Sequence, residues 1–232
     1  MNIDTLRAIR ARLAEKKPCV LVTALDGAGQ ALTDGNQVSG DLALTATDLA
    51  EIRRRIVLDR SGVLDDGRLF VRVYSLSPRM VIVGAVHIAQ MLAPMARLAG
   101  FDVTVIDPRE AFARSSQFAD VSAIVAWPDE AMGQLALDNR TAVVTLTHDP
   151  KLDDPALAAA LRSHAFYIGA LGSRKTHAKR LQRLAGDGFS ADDVARIRGP
   201  VGLDIKAVTP AEIAVSILAQ VIATLRAEST AP

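Results

Sequence analysis

Cysteine is nearly absent from this chain of 232 residues: Cys19 stands alone, so no intrachain disulfide can form, and a structural zinc site would need histidine and carboxylates. That usage fits a reducing cytoplasm. Aromatic residues supply only 4% while apolar residues reach 50%, a balance carried by Ala, Leu, Val and Ile that disfavours an all-β protein and suits helices over a parallel sheet. Charge of one sign is not in excess. The net charge of +1 gives no global field to draw nucleic acid or an anionic membrane, so any anion site has to be local. Long hydrophobic runs are missing as well. The N-terminal MNIDTLRAIRARLAEKK spaces Leu6, Ile9 and Leu13 as an amphipathic helix rather than a signal peptide. The stretch AVSILAQVIATL, broken by Ser216, Gln220 and Thr224, falls short of the ~20 residues a bilayer requires, and a soluble protein without membrane contact is expected.

What is present divides at the SLSPR segment, residues 75 to 79. Residues 1–76 read as a small α+β unit: a first helix, the strand CVLVTAL, a glycine-marked irregular stretch, a helix capped by Thr47, and the strand LFVRVY. Residues 77–232 change rhythm. MVIVGA, FDVTVID, SAIVAW, AVVTLTHD and AFYIGA read as five strands, each followed by a helix candidate, which predicts a Rossmann-type doubly wound parallel sheet. Thr209, Pro210 and Glu212 form a capping box ahead of Ile213, Ile217, Val221 and Leu225; the tail AESTAP is expected to fray.

In such a sheet ligands bind outside the carboxyl ends of the strands. The first turn, VGAVHIA, occupies the place of a dinucleotide fingerprint, with Gly84 fitting and Val86 standing where a second glycine would let a pyrophosphate approach. Nicotinamide binding is thereby disfavoured. His87 sits near a helix start, either beside an anion or as a structural cap. Asp107 ends the second strand and either holds a ribose or caps the turn before Pro108. Thr147, His148 and Asp149 end the fourth strand as a ligand-binding set or an Asx-type turn, but consecutive extended residues diverge and make no catalytic triad.

The fifth turn, YIGALGSRKT, fails as a triphosphate loop because Arg174 stands where the second glycine is required. What survives is Gly169, Gly172, Ser173, Arg174 and Lys175 entering a helix, a candidate cradle for a phosphate or similar oxyanion. Cations at a helix N-terminus oppose its dipole, so this arrangement calls for an anion. Asp204, in GPVGLDIKAVTPAE, is a candidate site carboxylate or a loop cap. His164 and His177 read as surface histidines, and no spacing matches a zinc motif.

Together VGAVHIAQMLAPMARLAGFDVTVIDPR, VAWPDEA, TAVVTLTHDPKLDDPALAAALRS, FYIGALGSRKTHAKRLQRL and GPVGLDI followed by TPAEIAVSILA resemble the XdhC/CoxI family of xanthine dehydrogenase accessory factors, over roughly residues 80 to 225. The resemblance implies a protein that catalyses nothing itself. It would bind molybdenum cofactor (molybdopterin), protect it while its sulfido ligand is installed, and aid its insertion into xanthine dehydrogenase or a related molybdenum hydroxylase. A homodimer that meets a cysteine desulfurase is implied too, and the molybdopterin phosphate matches the anion expected at the fifth turn. This chain departs from family members at Val86, where they often carry glycine. It also has VSGD where longer relatives have a Ser-Gly-Gly-Cys motif. The competing readings are an NAD(P)-dependent oxidoreductase and a regulatory subunit with a degenerate nucleotide site.

Overall fold

The computed structural model describes residues 3–15, 17–110, 118 and 121–228. The chain forms two compact units, one running to Leu76 and resuming at Arg226, the other spanning Ser77–Leu225.

The first unit holds helix α1 (Ile3–Ala14), strands β1 (Cys19–Ala24), β2 (Gln30–Thr33) and β3 (Val38–Gly40), helix α2 (Ala46–Leu58), and strands β4 (Gly62–Val63) and β5 (Leu69–Tyr74). Its antiparallel sheet runs β3-β2-β1-β5-β4. β1 is apolar except for Thr23 because both faces are covered: Cys19 and Leu21 meet Ile9 of α1, while Val20 and Val22 pack in one cluster with Ile52 of α2. Two expectations are corrected. The stretch read as irregular contains β2 and β3, where Gly40 lets the edge strand close on β2, since a Cβ there would collide with the Gln30 carbonyl. The cap of α2 is Thr45 rather than Thr47: its hydroxyl accepts from Asp48 N at 3.2 Å, and the Asp48 carboxylate accepts from Thr45 N at 2.8 Å.

The second unit is built on six parallel strands: β6 (Arg79–Val83), β7 (Asp102–Ile106), β8 (Ser122–Ile124), β9 (Thr141–Thr145), β10 (Tyr167–Ala170) and β11 (Ile197–Arg198). Their order, β11-β10-β9-β6-β7-β8, is the doubly wound Rossmann arrangement. β11 adds to the five strands expected; two residues leave no hydrophobic run to read. Helices α3 (His87–Leu98) and α8 (Pro210–Glu228) cover one face with Ala89, Leu92, Ala93, Ala214, Ile217 and Val221. On the other lie α4 (Pro128–Gln134), α5 (Pro150–Leu161), α6 (Arg174–Gly186) and α7 (Ala191–Ala195), with Ala131, Ala156, Leu157, Leu184 and Val194. The helix expected after β7 and the last residues of the AESTAP tail lie outside the described residues.

α8 begins as its sequence implies. Glu212 accepts from Thr209 N at 3.0 Å and its own N–H donates to the Thr209 hydroxyl at 3.3 Å. The expectation that no stretch approaches a bilayer span is corrected: Pro210–Ala227, with mean hydropathy 1.3, is long and apolar enough to cross a membrane by length and composition. Its Ala214, Ile217 and Val221 lie fully in the core of the unit, where a helix over a sheet carries the same composition.

Candidate functional site

Strand order reverses between β6 and β9, whose following helices leave on opposite faces of the sheet. The crevice that opens there is framed by backbone. Gly84 has φ +104° and rests on Thr147, so a Cβ would collide with Thr147 Cγ2 and only glycine fits. Val86 caps α3 in extended conformation without a side-chain hydrogen bond, and its own side chain packs on the α3–α8 core. The opening N–H groups of α3 are thus left to a ligand or solvent, with His87 exposed beside them.

Asp107 is fully buried, and both its oxygens are engaged. Oδ2 accepts from Ala85 N at 2.8 Å and Arg109 Nη2 at 2.7 Å, while Oδ1 accepts from Arg109 N at 3.0 Å and Nε at 2.9 Å. Burial alone would raise this carboxyl, but the bonds from Arg109 and Ala85 outweigh it and hold it below the ordinary carboxylate range. Four donors leave little acceptor capacity for a ribose hydroxyl. The carboxylate instead anchors Arg109, whose side chain is 45% exposed and lies near enough to Asp149 to feel its charge. Sequence reasoning passed over Arg109. Its only signal was a fork-shaped cation two residues beyond a strand-ending Asp.

Thr147, His148 and Asp149 form a turn rather than an extended run, and Asp149 folds back onto Thr147. The Thr147 hydroxyl donates to Asp153 Oδ1 at 2.7 Å and accepts from Asp149 N at 3.1 Å. Asp149 caps α5 by accepting from Lys151 N at 2.9 Å. His148 is exposed in the left-handed region at φ +63°, an unusual place for a non-glycine residue. Beneath this turn lies a buried pair that sequence reasoning missed: Arg180 Nη2 donates to Asp153 Oδ2 at 3.1 Å, with side chains only 2% and 1% exposed. Burial pushes the Asp153 carboxyl upward, and the bonds from Thr147 and the Arg180 charge only partly offset it.

The fifth turn is less uniform than its sequence suggests. Gly169 lies within β10, where a Cβ would come within 2.6 Å of Val201 Cγ2 and 2.7 Å of Tyr167 Cε1, so its glycine serves packing. Gly172, at φ +146°, carries the chain into Ser173, whose hydroxyl accepts from Thr176 N at 3.1 Å and caps α6. Arg174 and Lys175 diverge. Lys206 and then Arg174 hold the Asp204 carboxyl down, whereas Lys175 lines a cavity shared with His148. Asp204 itself is exposed and pairs with Lys206 at 2.7 Å. The surface reading of His177 is corrected: its Nδ1 is buried without a partner, its ring lies against Gly199, and burial, then Arg180, lowers its pKa.

Among the described residues no group of three or more His, Cys, Asp or Glu is placed to hold a metal ion. The site offers backbone donors, cations and hydroxyls suited to holding an anionic ligand. Known proteins bear on this. "Molybdenum cofactor insertion chaperone PaoD" of Escherichia coli (strain K12) is 36% identical over 143 residues, covering 62% of this chain and 39% of PaoD. A Bacillus subtilis (strain 168) protein named as a probable xanthine dehydrogenase subunit is 32% identical over 157 residues, covering 67% of this chain and 46% of that protein. The chain therefore spans less than half the length of these curated relatives. A crystal structure described as a xanthine dehydrogenase from Bacillus halodurans superposes with a TM-score of 0.75 at 27% identity, covering 97% of this chain and 67% of that one. The XdhC Rossmann domain matches residues 80–221, more than half of the sequence, and the chain belongs to the XdhC family.

Proposed function

We propose that this chain is an accessory factor that binds molybdenum cofactor, shields it during sulfuration and helps insert it into xanthine dehydrogenase or a related molybdenum hydroxylase. The observation that carries the reading is the β6–β9 crevice of an XdhC Rossmann domain. There the uncapped start of α3 offers N–H donors and the half-exposed Arg109 guanidinium offers its charge to an anion, in a chain similar to a protein named as a molybdenum cofactor insertion chaperone. These residues fit a phosphate-bearing ligand. Backbone N–H groups at a helix start and a guanidinium charge complement phosphate oxygens. His87, Arg109 and the opening N–H groups of α3 would hold the cofactor, with Gly84 and Thr147 shaping the turn beside them, while the bound group would supply the molybdenum centre used by the client enzyme. The chain's own task is to bind, orient and shield.

The same proposal includes a homodimer in the cytoplasm that receives sulfur from a cysteine desulfurase. A nicotinamide-dependent oxidoreductase draws support from the Rossmann strand order, but the saturated Asp107 carboxylate weighs against it. Co-expression with a molybdenum hydroxylase lacking cofactor tests the proposal. The purified chain is expected to carry molybdopterin, detected as oxidised pterin fluorescence, and to raise the client's activity. A preparation that does neither sinks the idea, and saturable NAD(P) binding in its place would favour the oxidoreductase.

A further inference from the structure

Two buried residues beneath the crevice hold the turns that form it. Arg180 of α6 and Asp153 of α5 meet through Nη2 and Oδ2 at 3.1 Å, out of reach of water. Taking two charges out of water offsets much of their attraction, so such a pair adds little net stability; what it does supply is hydrogen bonds in fixed directions. The directions here lead to two strand ends. Nη2 of Arg180 also donates to the carbonyl of Leu171, the residue after β10, at 3.1 Å. Oδ1 of Asp153 accepts from the hydroxyl of Thr147, two residues beyond β9, at 2.7 Å.

From Thr147 the contacts continue toward the start of α3. Thr147 Cγ2 occupies the space where a Gly84 Cβ would stand, and Leu146 N donates to the Val83 carbonyl at 2.9 Å. Gly84 N in turn donates to the Ile106 carbonyl and Ala85 N to Asp107 Oδ2, both at 2.8 Å. Asp107 fixes the guanidinium of Arg109 through Nε at 2.9 Å and Nη2 at 2.7 Å, and Val86, the residue after Ala85, opens α3. An unbroken series of contacts thus runs from the buried pair to the two groups that offer themselves to an anion.

We propose that Arg180 and Asp153 are positioning residues for the crevice: through Thr147 they hold the β9 turn under Gly84, and so fix the opening N–H groups of α3 and the Arg109 guanidinium for an anionic ligand that they never touch. The inference deepens the proposed function and rests on the crevice being the place of the cofactor. A pair that only supported the fold would lower the melting temperature and nothing else. A positioning pair also loosens one remote turn and costs affinity in protein that is still folded.

Amide hydrogen exchange of the full chain, followed residue by residue by NMR well below the unfolding midpoint, tests it. Thr147→Val keeps the ion pair and a methyl group against Gly84, and removes only the hydroxyl. It should speed exchange at Gly84 and Ala85 roughly tenfold and shift the Arg109 Nε–H resonance. Asp153→Asn should do the same, and the double variant should exceed neither single one, because both break one path. If Asp153→Asn fails to fold, having left Arg180 buried without its counter-charge, Thr147→Val decides. Arg183→Gln removes a second α5–α6 ion pair, to Asp154 at the surface, and should leave both signals at wild-type values. Cofactor content is read separately, as pterin carried after co-expression with the client, and should fall about tenfold in the Thr147 and Asp153 variants. A wild type that carries no molybdopterin, with exchange as expected, sinks the accessory-factor reading and leaves the positioning role standing. Unchanged exchange at Gly84 and Ala85 in Thr147→Val, an equal effect of Arg183→Gln, or variants that carry as much pterin as a loaded wild type overturns the positioning role.

Discussion

Single atoms set the tolerances of the crevice. At Gly84 two constraints coincide, a φ of +104° and a neighbour, Thr147 Cγ2, where a Cβ would go. Gly84→Ala is expected to cost about 2 kcal/mol and to lower the thermal midpoint by roughly 4–8 °C. Adding Thr147→Ser removes the opposing methyl and should recover only the steric share; full recovery would show that the backbone conformation carries no strain. Asp107 and Asp153 tilt the pH profile in opposite senses. The native pKa of Asp107 is lowered, so its stabilisation is complete above the unfolded value of about 3.9 and is lost as pH falls through the native value. Asp153 is raised, so its favourable contribution is present below the unfolded value and lost as pH rises through the native one. In urea titrations from pH 6 to pH 2.5, Asp107→Asn should therefore lose less stability on acidification than the wild type, while being less stable at pH 6. Equal acid sensitivity would mean that the Arg109 and Ala85 bonds contribute nothing.

At the scale of elements, caps decide where helices begin. The Thr209–Glu212 box gives α8 a defined start just after the Asp204 loop. Thr209→Ala is expected to cost about 1 kcal/mol, read as a fall of roughly 2–4 °C in the midpoint, and Glu212→Gln should cost less because an amide oxygen still accepts. At the start of α3 the opposite holds. Val86 supplies no side-chain cap, so Val86→Ser should add a cap worth about 1 kcal/mol, set against the packing that side chain loses on the α3–α8 core, while competing with a ligand for the first N–H groups. A stabilised variant with undiminished cofactor binding would remove α3 from the site.

Over the whole molecule the charges nearly cancel, at a net +1. Affinity for anions therefore has to come from short-range groups such as Arg109 and the opening N–H groups of α3 rather than from a field. At about 150 mM salt, where the Debye length is near 8 Å, the chain should not retard duplex DNA in a gel even at roughly 10 µM protein. A shift under those conditions would reveal a basic surface that the even charge balance gives no reason to expect.

Hydrophobic runs and turn residues made much of the fold readable. β6, β7 and β9 are rich in β-branched residues because a parallel sheet buries both faces of its central strands, and α8 announced its own cap and stripe. Short edges were not readable: β3 is three exposed residues and β11 only two, held by pairing rather than by composition. Of the candidate site, the sequence determined which turns meet the carboxyl ends of the strands and which cations lie near them, since both follow from the order of elements along the chain. Only the tertiary structure decided how those charges are used. It saturated Asp107 with Arg109, parted Arg174 from Lys175, and brought Arg180 to Asp153 across 27 residues with two of its nitrogens unmatched. Burial and hydrogen-bond capacity depend on what surrounds a group in space, and no local pattern of residues records that.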